Sequence, residues 1–249
     1  MEFIGIIPAR YESNRFPGKP LVDIHGKSMI QRVYEQCLKA KLNRIIVATD
    51  DKRIFDHVLN FGGEVIMTSN SHESGTDRIA EAAKKLQLSA DTIVFNIQGD
   101  EPFIDPEDIN TLSACFNDEG TQIATLIKVI KEVDVLLNKN SPKVVIGLKD
   151  QALYFSREAI PHLRGVDKKD WLSKQTYFQH VGIYAFKHAT LKAISLLPMG
   201  VLEQSEGLEQ LRWLENGCTI KTAQTESECI AVDCAEDLER IDKKFFSES

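Results

Sequence analysis

The segment FIGIIPARYESNRFPGKPL, residues 3–21, begins with an apolar run and continues as a loop rich in cations. The run Phe3–Ile7 is typical of a buried strand. The loop that follows this run carries Arg10, Arg15 and Lys19 among proline and glycine residues that mark turns. Open α/β sheets bind their ligands outside the carboxyl ends of the strands. In a chain of net charge -7, this position favours a bound polyanion, most simply a nucleoside triphosphate, over a solvated surface loop.

Two familiar nucleotide-binding motifs are absent from the chain. The residues around Gly18-Lys19 lack the first glycine of a Walker A loop, and so do those around Gly26-Lys27-Ser28. No GxGxxG dinucleotide fingerprint occurs. Any triphosphate site would therefore depend on the basic loop rather than on either of these motifs.

Strand-like and helix-like patterns alternate through the first half of the chain. The predicted strands are 3–7, 44–49, 64–68 and 92–97. Apolar residues recur at helical spacing in 30–38 and 79–86, and Asp105-Pro106 starts a third helical stripe. This alternation predicts an α/β fold with a mostly parallel, Rossmann-like sheet and helices on both faces.

The second half is less regular and predicts a smaller, partly antiparallel lobe within about 125–200. Its predicted strands are 122–129, 144–148, 153–156 and 178–186. The charged segment 165–174 is interpreted as an exposed loop, and helices are predicted at 205–216 and 235–246. We expect residues 1–249 to form a single domain that includes this lobe.

Composition limits the class of protein. The 249 residues are 43% hydrophobic, enough for a large core, and the pI near 5.5 argues against a nucleic-acid partner. No apolar run is long enough to span a membrane, and the start of the chain does not resemble a signal peptide. We therefore expect a cytoplasmic protein. Its five cysteines, without any CxxC, indicate neither a disulfide framework nor a zinc site.

Two carboxylates follow apolar strand-like runs. Asp100 comes after the predicted strand 92–97, where a carboxylate could hold Mg²⁺ together with phosphate oxygens. Asp100 and Glu101 could equally begin the turn into the next helix. Asp233 follows the short apolar run 230–232, and a capping role at the last helix is favoured when these residues are taken alone.

Further polar residues each allow a structural and a functional interpretation. Ser74 and Arg78 stand at a predicted helix start, where they would cap the helix or bind an anion or a base edge. His180 and Tyr184 share one face of a strand, although a histidine in such a place is more often a core group. Glu209 and Gln210, on a predicted helix, could be merely solvated.

Nine segments in order cover nearly the whole chain and resemble the cytidylyltransferases that activate acidic sugars. The most specific resemblance is to the family of 3-deoxy-manno-octulosonate (Kdo) cytidylyltransferases. Departures are few: Cys234 and Ala235 replace the usual Thr and Pro, and the loop 165–171 matches poorly. The matching segments are IPARYESNRFPGKPL (7–21), ATDD (48–51), HESGTDR (72–78), NIQGDEP (96–102), KVV (143–145), YFSR (154–157), HVGIYAF (180–186), LEQLRWLENG (208–217) and VDCAEDLER (232–240).

This resemblance implies a reaction of CTP with Kdo that gives CMP-Kdo and pyrophosphate, with Mg²⁺ as cofactor. It also implies a homodimer formed through the smaller lobe and a role in lipopolysaccharide biosynthesis. Lys19, Arg10 and Asp100 would be catalytic, and Asp100 and Asp233 would bind the metal. The nucleotide-binding residues would be Pro8, Ala9, Arg10, Ser13, Arg15, Lys19, Ser74, Arg78, Gln98 and Asp100. The sugar-binding residues would be Gln98, Arg157, His180, Tyr184, Glu209 and Gln210.

Three alternatives remain open at this point. An acylneuraminate cytidylyltransferase would use the same chemistry on sialic acid. A glycosyltransferase on a similar fold would commonly carry an Asp-x-Asp motif, which Gln98-Gly-Asp100-Glu101 does not match. A regulatory module would bind CTP without turning it over, an interpretation that the full set of cations and carboxylates disfavours.

Overall fold

The computed structural model describes residues 1–12, 16–227, 232 and 237–238. The chain divides into two compact units. The first unit comprises Met1–Asn110, Lys187–Leu191 and the described part of Glu228–Ser249, and the second comprises Thr111–Phe186 and Lys192–Ser227. Residues 125–200, the predicted smaller lobe, lie mainly in the second unit. The role of that lobe in sugar binding and dimerisation stays a prediction.

The first unit is built on a parallel sheet. Its strands are β1 (Phe3–Ala9), β2 (Asp23–Ile24), β3 (Lys27–Ser28), β4 (Arg44–Thr49), β5 (Val65–Met67) and β6 (Ile93–Asn96). Its helices are α1 (Met29–Cys37), α2 (Lys52–Asn60) and α3 (Gly75–Lys85), and α4 (Pro106–Ala114) contains residues of both units. The sheet order is β6-β1-β4-β5, with every pair parallel, while β2 and β3 form a separate hairpin.

The position of β1 determines where a ligand can bind to this sheet. Every residue from Ile4 to Ile7 is buried, as expected for a strand covered on both faces. From β1 the chain proceeds to β4 and β5 on one side and then returns to β6 on the other. The carboxyl ends of β1 and β6 therefore flank a topological switch point, which is the usual ligand crevice of such sheets.

The second unit is mixed in strand direction. Its strands are β7 (Ile123–Val129), β8 (Lys143–Ile146), β9 (Ala152–Ser156), β10 (Phe178–Lys187) and β11 (Ile220–Gln224). Its helices are α5 (Val133–Leu137), α6 (Trp171–Lys174), α8 (Val201–Glu206) and α9 (Gln210–Glu215), and α7 (His188–Ile194) contains residues of both units. Strand β7 runs parallel to β11 and antiparallel to β10, and β8 pairs antiparallel with both β10 and β9. The predicted α/β fold class is confirmed.

The interpretation of 165–174 as an exposed loop is right for most of its side chains, which are exposed, but wrong in two respects. The segment contains a 3-10 turn at Lys168–Asp170 and then α6. Trp171 is buried, stacks on Tyr177 with ring centroids 5.8 Å apart, and packs in a cluster with Ile130 and Leu136. The many charged residues around Trp171 concealed a core position, because one large aromatic side chain can anchor an otherwise polar segment.

One other prediction of secondary structure was wrong, and one strand was missed. The helix predicted at 205–216 is divided by Gly207, whose φ of 61° ends α8 in the left-handed conformation. Strand β11 was not predicted, although Ile220 and Thr222 alternate as buried residues along it. The helix predicted at 235–246 lies outside the described residues except for Asp237 and Leu238, which are helical.

No helix in the described parts of the chain has the length and apolar character needed to cross a membrane.

Candidate active site

Lys19 and Asp100 meet at the switch point. Gly18 takes a left-handed conformation, with φ at 74°, and turns the chain into the 3-10 turn that carries Lys19. The Lys19 Nζ donates to Oδ2 of Asp100 over 2.7 Å and to the carbonyl oxygen of Val232 over 2.6 Å. A cation from the loop after β1 is thereby held against a carboxylate from the loop after β6.

The C-terminal segment reaches this pair through its backbone. The amide of Val232 donates to the carbonyl oxygen of Asp100 over 2.9 Å, and the Val232 side chain is buried with Ile24 and Met29. Asp233, the predicted second metal ligand, lies outside the described residues, as do Ser13 and Arg15. The roles predicted for these three residues stay predictions.

Glu101 is an acidic group to which the sequence analysis assigned no role in the site. Its side chain is buried, and its Oε2 makes no hydrogen bond to the described residues. Burial, together with the nearby carboxylates of Asp100 and Asp108, raises the pKa of Glu101 to about 7. Glu101 is therefore a second carboxyl group beside Asp100, and it gains or loses its proton near neutral pH. Its place directly after Asp100 in the sequence could have identified it as a site residue.

The end of β1 packs against the loop after β6. A Cβ at Gly99 would lie 3.0 Å from the carbonyl oxygen of Pro8, so only glycine fits without a shift. The glycine thus permits close contact between the backbone of this loop and the end of β1. Ala9 is buried, and Gln98 follows β6 in a partly buried position.

Arg10 leaves the buried end of β1 and is exposed. Its Nη1 donates to the carbonyl oxygen of His72 over 3.4 Å, and its Nη2 to that of Glu73 over 3.3 Å. These long hydrogen bonds direct the guanidinium group without neutralising it. Arg10 therefore keeps a full positive charge that an anion could approach.

Ser74 and Arg78, at the start of helix α3, both have structural partners. The Ser74 Oγ accepts from the backbone amide of Asp77 over 3.0 Å, which confirms that it caps the helix. The Arg78 side chain is 1% exposed, and its guanidinium donates to Asp50 Oδ2 and Thr68 Oγ1, each over 2.7 Å. Arg78 therefore joins the ends of β4 and β5 and holds Asp50 in place.

A cavity of about 410 Å³ lies at the same edge of the first unit's sheet. Its size is within the range of small-molecule sites. The guanidinium of Arg53, in the first turn of α2, lies over the ring of Tyr11 at 3.2 Å from its centroid, and this contact orients one of the lining side chains. Apart from Arg10, its lining residues had no predicted role, although Asp50 and Asp51 directly follow a predicted strand. The lining residues are Arg10, Tyr11, Glu12, Asp50, Asp51 and Asn70.

In the second unit, His180 is a buried core group. Its Nε2 lies 3.0 Å from Oγ1 of Thr125, whose hydroxyl also reaches the carbonyl oxygens of Val181 and Ile183. Burial lowers the pKa of His180 to about 3, so the imidazole is neutral at physiological pH. The ring contacts Tyr184, with centroids 5.2 Å apart, in agreement with their predicted common face.

Within the described part of the second unit, two buried polar side-chain atoms lack hydrogen-bond partners. The hydroxyl of Tyr184 and the Nε2 of Gln210 make no hydrogen bond to the described residues. A buried donor without a partner is costly, so such atoms point to a ligand or water. Gln210 begins α9 and is 5% exposed, which contradicts the interpretation of a merely solvated residue. Glu209 precedes it and is partly buried.

Arg157 is tied to the backbone of the second unit. Its Nε donates to the carbonyl oxygen of Glu206 over 2.6 Å and its Nη2 to that of Gly207 over 3.2 Å, at the end of α8. The fully buried Lys143 donates to the carbonyl oxygen of Arg157 over 2.6 Å. The position of Arg157 is therefore firmly set. The expected contact with a sugar carboxylate stays a prediction.

Comparison with known proteins assigns the chain to a family. The sequence pattern of the family described as cytidylyltransferase matches residues 4–224. The chain is 55% identical over 244 residues to the 3-deoxy-manno-octulosonate cytidylyltransferase of Parabacteroides distasonis, covering 96% of each chain. It is 52% identical over 246 residues to the enzyme of that name from Bacteroides thetaiotaomicron, covering 98% of each.

A solved structure agrees with these relatives. The protein is similar, with a TM-score of 0.89 and 43% identity over 97% of each chain, to CMP:2-keto-3-deoxy-manno-octonic acid synthetase complexed with CTP. Sequence and fold agree over nearly the whole length. The chain belongs to the cytidylyltransferase family and, within it, to the 3-deoxy-manno-octulosonate cytidylyltransferases.

Proposed function

We propose that this protein transfers CMP from CTP to the anomeric hydroxyl of Kdo and releases pyrophosphate. The observation that carries the proposal is the Lys19–Asp100 pair at the switch point of a parallel sheet. A cation and a carboxylate joined there suit a reaction that moves a phosphoryl group. Membership of the family supports the choice of CTP and Kdo as substrates.

The residues of the first unit account for charge stabilisation. The sugar hydroxyl would attack the α-phosphorus in line as pyrophosphate leaves, and negative charge would increase on the oxygens between them. Lys19, already oriented by two hydrogen bonds, would stabilise that charge without reorganisation. Arg10, with Ser13 and Arg15 from the same loop, would hold the triphosphate.

Residues around the cavity would hold the cytidine. Ser74 would act through the helix start that it caps, and Arg78 through Asp50, the carboxylate it holds at the cavity wall. Pro8, Ala9 and Gln98 would contribute at the ends of β1 and β6. The firm anchoring of these groups supports a preformed nucleotide site.

Magnesium is part of the proposal. Asp100 offers a partly exposed carboxylate beside the place proposed for phosphate, and Mg²⁺ is commonly bound by one or two carboxylates plus phosphate oxygens. Among the described residues no cluster of three or more possible metal ligands occurs, so phosphate and water would complete the shell. These residues fit the ion, with Asp233 as the second proposed ligand. When bound, Mg²⁺ would neutralise phosphate charge and lower the pKa of the attacking hydroxyl.

The sugar-binding residues proposed here belong to the second unit, and the sugar-binding role expected of Gln98 stays a prediction. Tyr184 and Gln210 each present a buried polar atom that needs a partner, and a sugar hydroxyl would supply one. Neutral His180 could exchange a hydrogen bond with a sugar oxygen, and Glu209 lies beside Gln210. Arg157 would meet the carboxylate of the sugar with the Nη hydrogens that its backbone contacts leave.

The wider context is also proposed. A homodimer formed through the second unit, a cytoplasmic location and a role in lipopolysaccharide biosynthesis are what family membership suggests.

Pyrophosphate release from CTP and Mg²⁺ tests the function directly, with Kdo, sialic acid or no sugar added. Release with Kdo alone is expected. Release with sialic acid alone would keep the mechanism and overturn the sugar assignment. If a folded, CTP-binding protein released pyrophosphate with neither sugar, the proposed function would be wrong.

A further inference from the structure

Glu81, on the second turn of α3, is an anchoring point that the proposed reaction does not use. Its Oε2 accepts from the backbone amide of Ser69 over 2.9 Å and is also hydrogen-bonded to Nε2 of His72. Its Oε1 pairs with Lys85 over 2.7 Å. Burial alone would raise the pKa of Glu81, but the hydrogen bonds from Lys85, the Ser69 amide and His72 outweigh it and lower the pKa to about 2. The anchor is therefore an anion at every physiological pH.

The segment 69–74 is attached at both ends. At its start, the amide of Ser69 is bound by Glu81 and its carbonyl oxygen accepts from Arg78 Nη1 over 3.3 Å. At its end, Ser74 caps α3, the helix that also carries Glu81. Between these points, His72 is held by the same Glu81 oxygen as Ser69. The backbone from Ser69 to Ser74 is thereby fixed to one helix.

The carbonyl groups of this fixed segment are those that direct Arg10. The oxygens of His72 and Glu73 accept its two Nη groups at 3.4 and 3.3 Å. Arg10 is exposed and has no other hydrogen bond to the described residues that would hold its guanidinium. Its orientation therefore depends on where those two carbonyl groups lie, and their position depends on Glu81.

We propose that Glu81 is a positioning residue for the triphosphate of CTP. It fixes the segment 69–74 so that the carbonyl groups of His72 and Glu73 hold Arg10 ready for the β- and γ-phosphates. This inference rests on the proposed role of Arg10. A preoriented cation binds an anion better than a mobile one, because less side-chain entropy is lost when the complex forms.

Calorimetric titration of CTP and CMP into the full-length protein, with Mg²⁺ present, tests this proposal. The variants are Glu81→Ala, Glu81→Gln, Arg10→Ala and the double variant Arg10→Ala/Glu81→Ala. Asp56→Asn is the matched control, because Asp56 forms an exposed ion pair with Lys52 one helical turn away on α2. Glu81→Gln serves if the alanine variant does not fold, since its amide oxygen can still accept from Ser69.

Glu81→Ala is expected to weaken CTP binding about tenfold and to leave CMP binding unchanged, since CMP lacks the phosphates that Arg10 would contact. In the double variant, loss of Glu81 should add little to loss of Arg10. Equal weakening of CTP and CMP, or fully additive effects, would show a general structural role and overturn the inference. If Arg10→Ala itself leaves CTP binding unchanged, the proposed role of Arg10 fails, and the inference fails with it.

Discussion

Lys19 and Asp100, 81 residues apart in sequence, are joined by a hydrogen bond of 2.7 Å between Nζ and Oδ2. Lys19 follows β1 and Asp100 follows the neighbouring strand β6, and both side chains are only partly exposed, at 16% and 30%. The pair holds two opposite charges at the switch point, where the loops after β1 and β6 begin. Substrate phosphate would take the place of Asp100 beside Lys19, and a metal ion would take the place of Lys19 beside Asp100. Neither exchange would require a further charge to be buried.

Replacing Lys19 with alanine should lower turnover by about a hundredfold or more, since a preorganised charge-stabilising donor is removed. Steady-state pyrophosphate release measures the change. Lys27→Ala is the matched control, because Lys27 forms an exposed pair with Glu35 at 2.6 Å on another part of the unit. Turnover near that of the unmodified protein, in a Lys19→Ala variant with a normal circular dichroism spectrum, would refute the assigned role.

Asp100→Asn should abolish the magnesium-dependent activity while the protein stays folded. The amide cannot supply the anionic oxygen that Mg²⁺ prefers, and the partly exposed position tolerates an isosteric change. Activity as a function of Mg²⁺ concentration, together with a thermal melt, separates the two effects. An unaltered magnesium response would show that the metal is held elsewhere.

Tyr184→Phe should raise the KM for Kdo about tenfold and leave the KM for CTP unchanged. The hydroxyl is buried and has no hydrogen-bond partner among the described residues, so its removal should destabilise the fold little, whereas a sugar bound there would lose a hydrogen bond. Initial rates with each substrate varied in turn, together with a denaturant midpoint, give both quantities. Were the KM for Kdo unaffected, Tyr184 would be a core residue alone.

The stability of the protein should fall as the pH falls from about 6.5 to about 3, partly because of His180. The unfolded chain binds a proton at this imidazole near 6.5, whereas burial delays protonation in the folded state to about 3. The unfolded state thus binds more protons in this window, and at pH 5 the difference is worth about 2 kcal/mol.

His180→Gln should remove this part of the pH dependence. Urea unfolding of both proteins at pH 8 and pH 5 measures it, with the unmodified protein losing more stability between the two. If the two proteins lost the same free energy of unfolding between pH 8 and pH 5, the folded state would accommodate the charged imidazole.

Local sequence patterns were sufficient to predict most strands of the first unit's sheet. The runs at 3–7, 44–49 and 92–97 are apolar because parallel strands are buried on both faces, and all three coincide closely with observed strands. Position after a strand also identified Arg10, Lys19 and Asp100 as candidates. Local pattern was less informative for Trp171, whose neighbours are charged although its own side chain is buried against residues distant in sequence.

The hydrogen-bond partners of charged side chains, by contrast, could not be predicted from local sequence patterns. Arg78 and Arg157 are cations suited to an anionic ligand, but the fold directs Arg78 to Asp50 and Arg157 to the carbonyl groups that end α8. Glu81 lies outside the apolar stripe of α3, so local pattern predicts only contact with solvent. In the structure it holds the segment 69–74 through Ser69 and His72. Hydrogen-bond partners of this kind depend on long-range geometry, which residue spacing does not encode.

By itself, the amino-acid sequence determined the fold class, the family and the loops that follow β1 and β6. It did so because strand burial and turn chemistry are local properties, and because long matching segments are specific. The tertiary structure alone decided that Lys19 meets Asp100 and that Arg10 rests on a segment anchored by Glu81. It also decided that Gln210 and Tyr184 carry buried atoms with no partner among the described residues. Those relationships arise when distant parts of the chain are packed together, and the packing of the whole unit sets their distances.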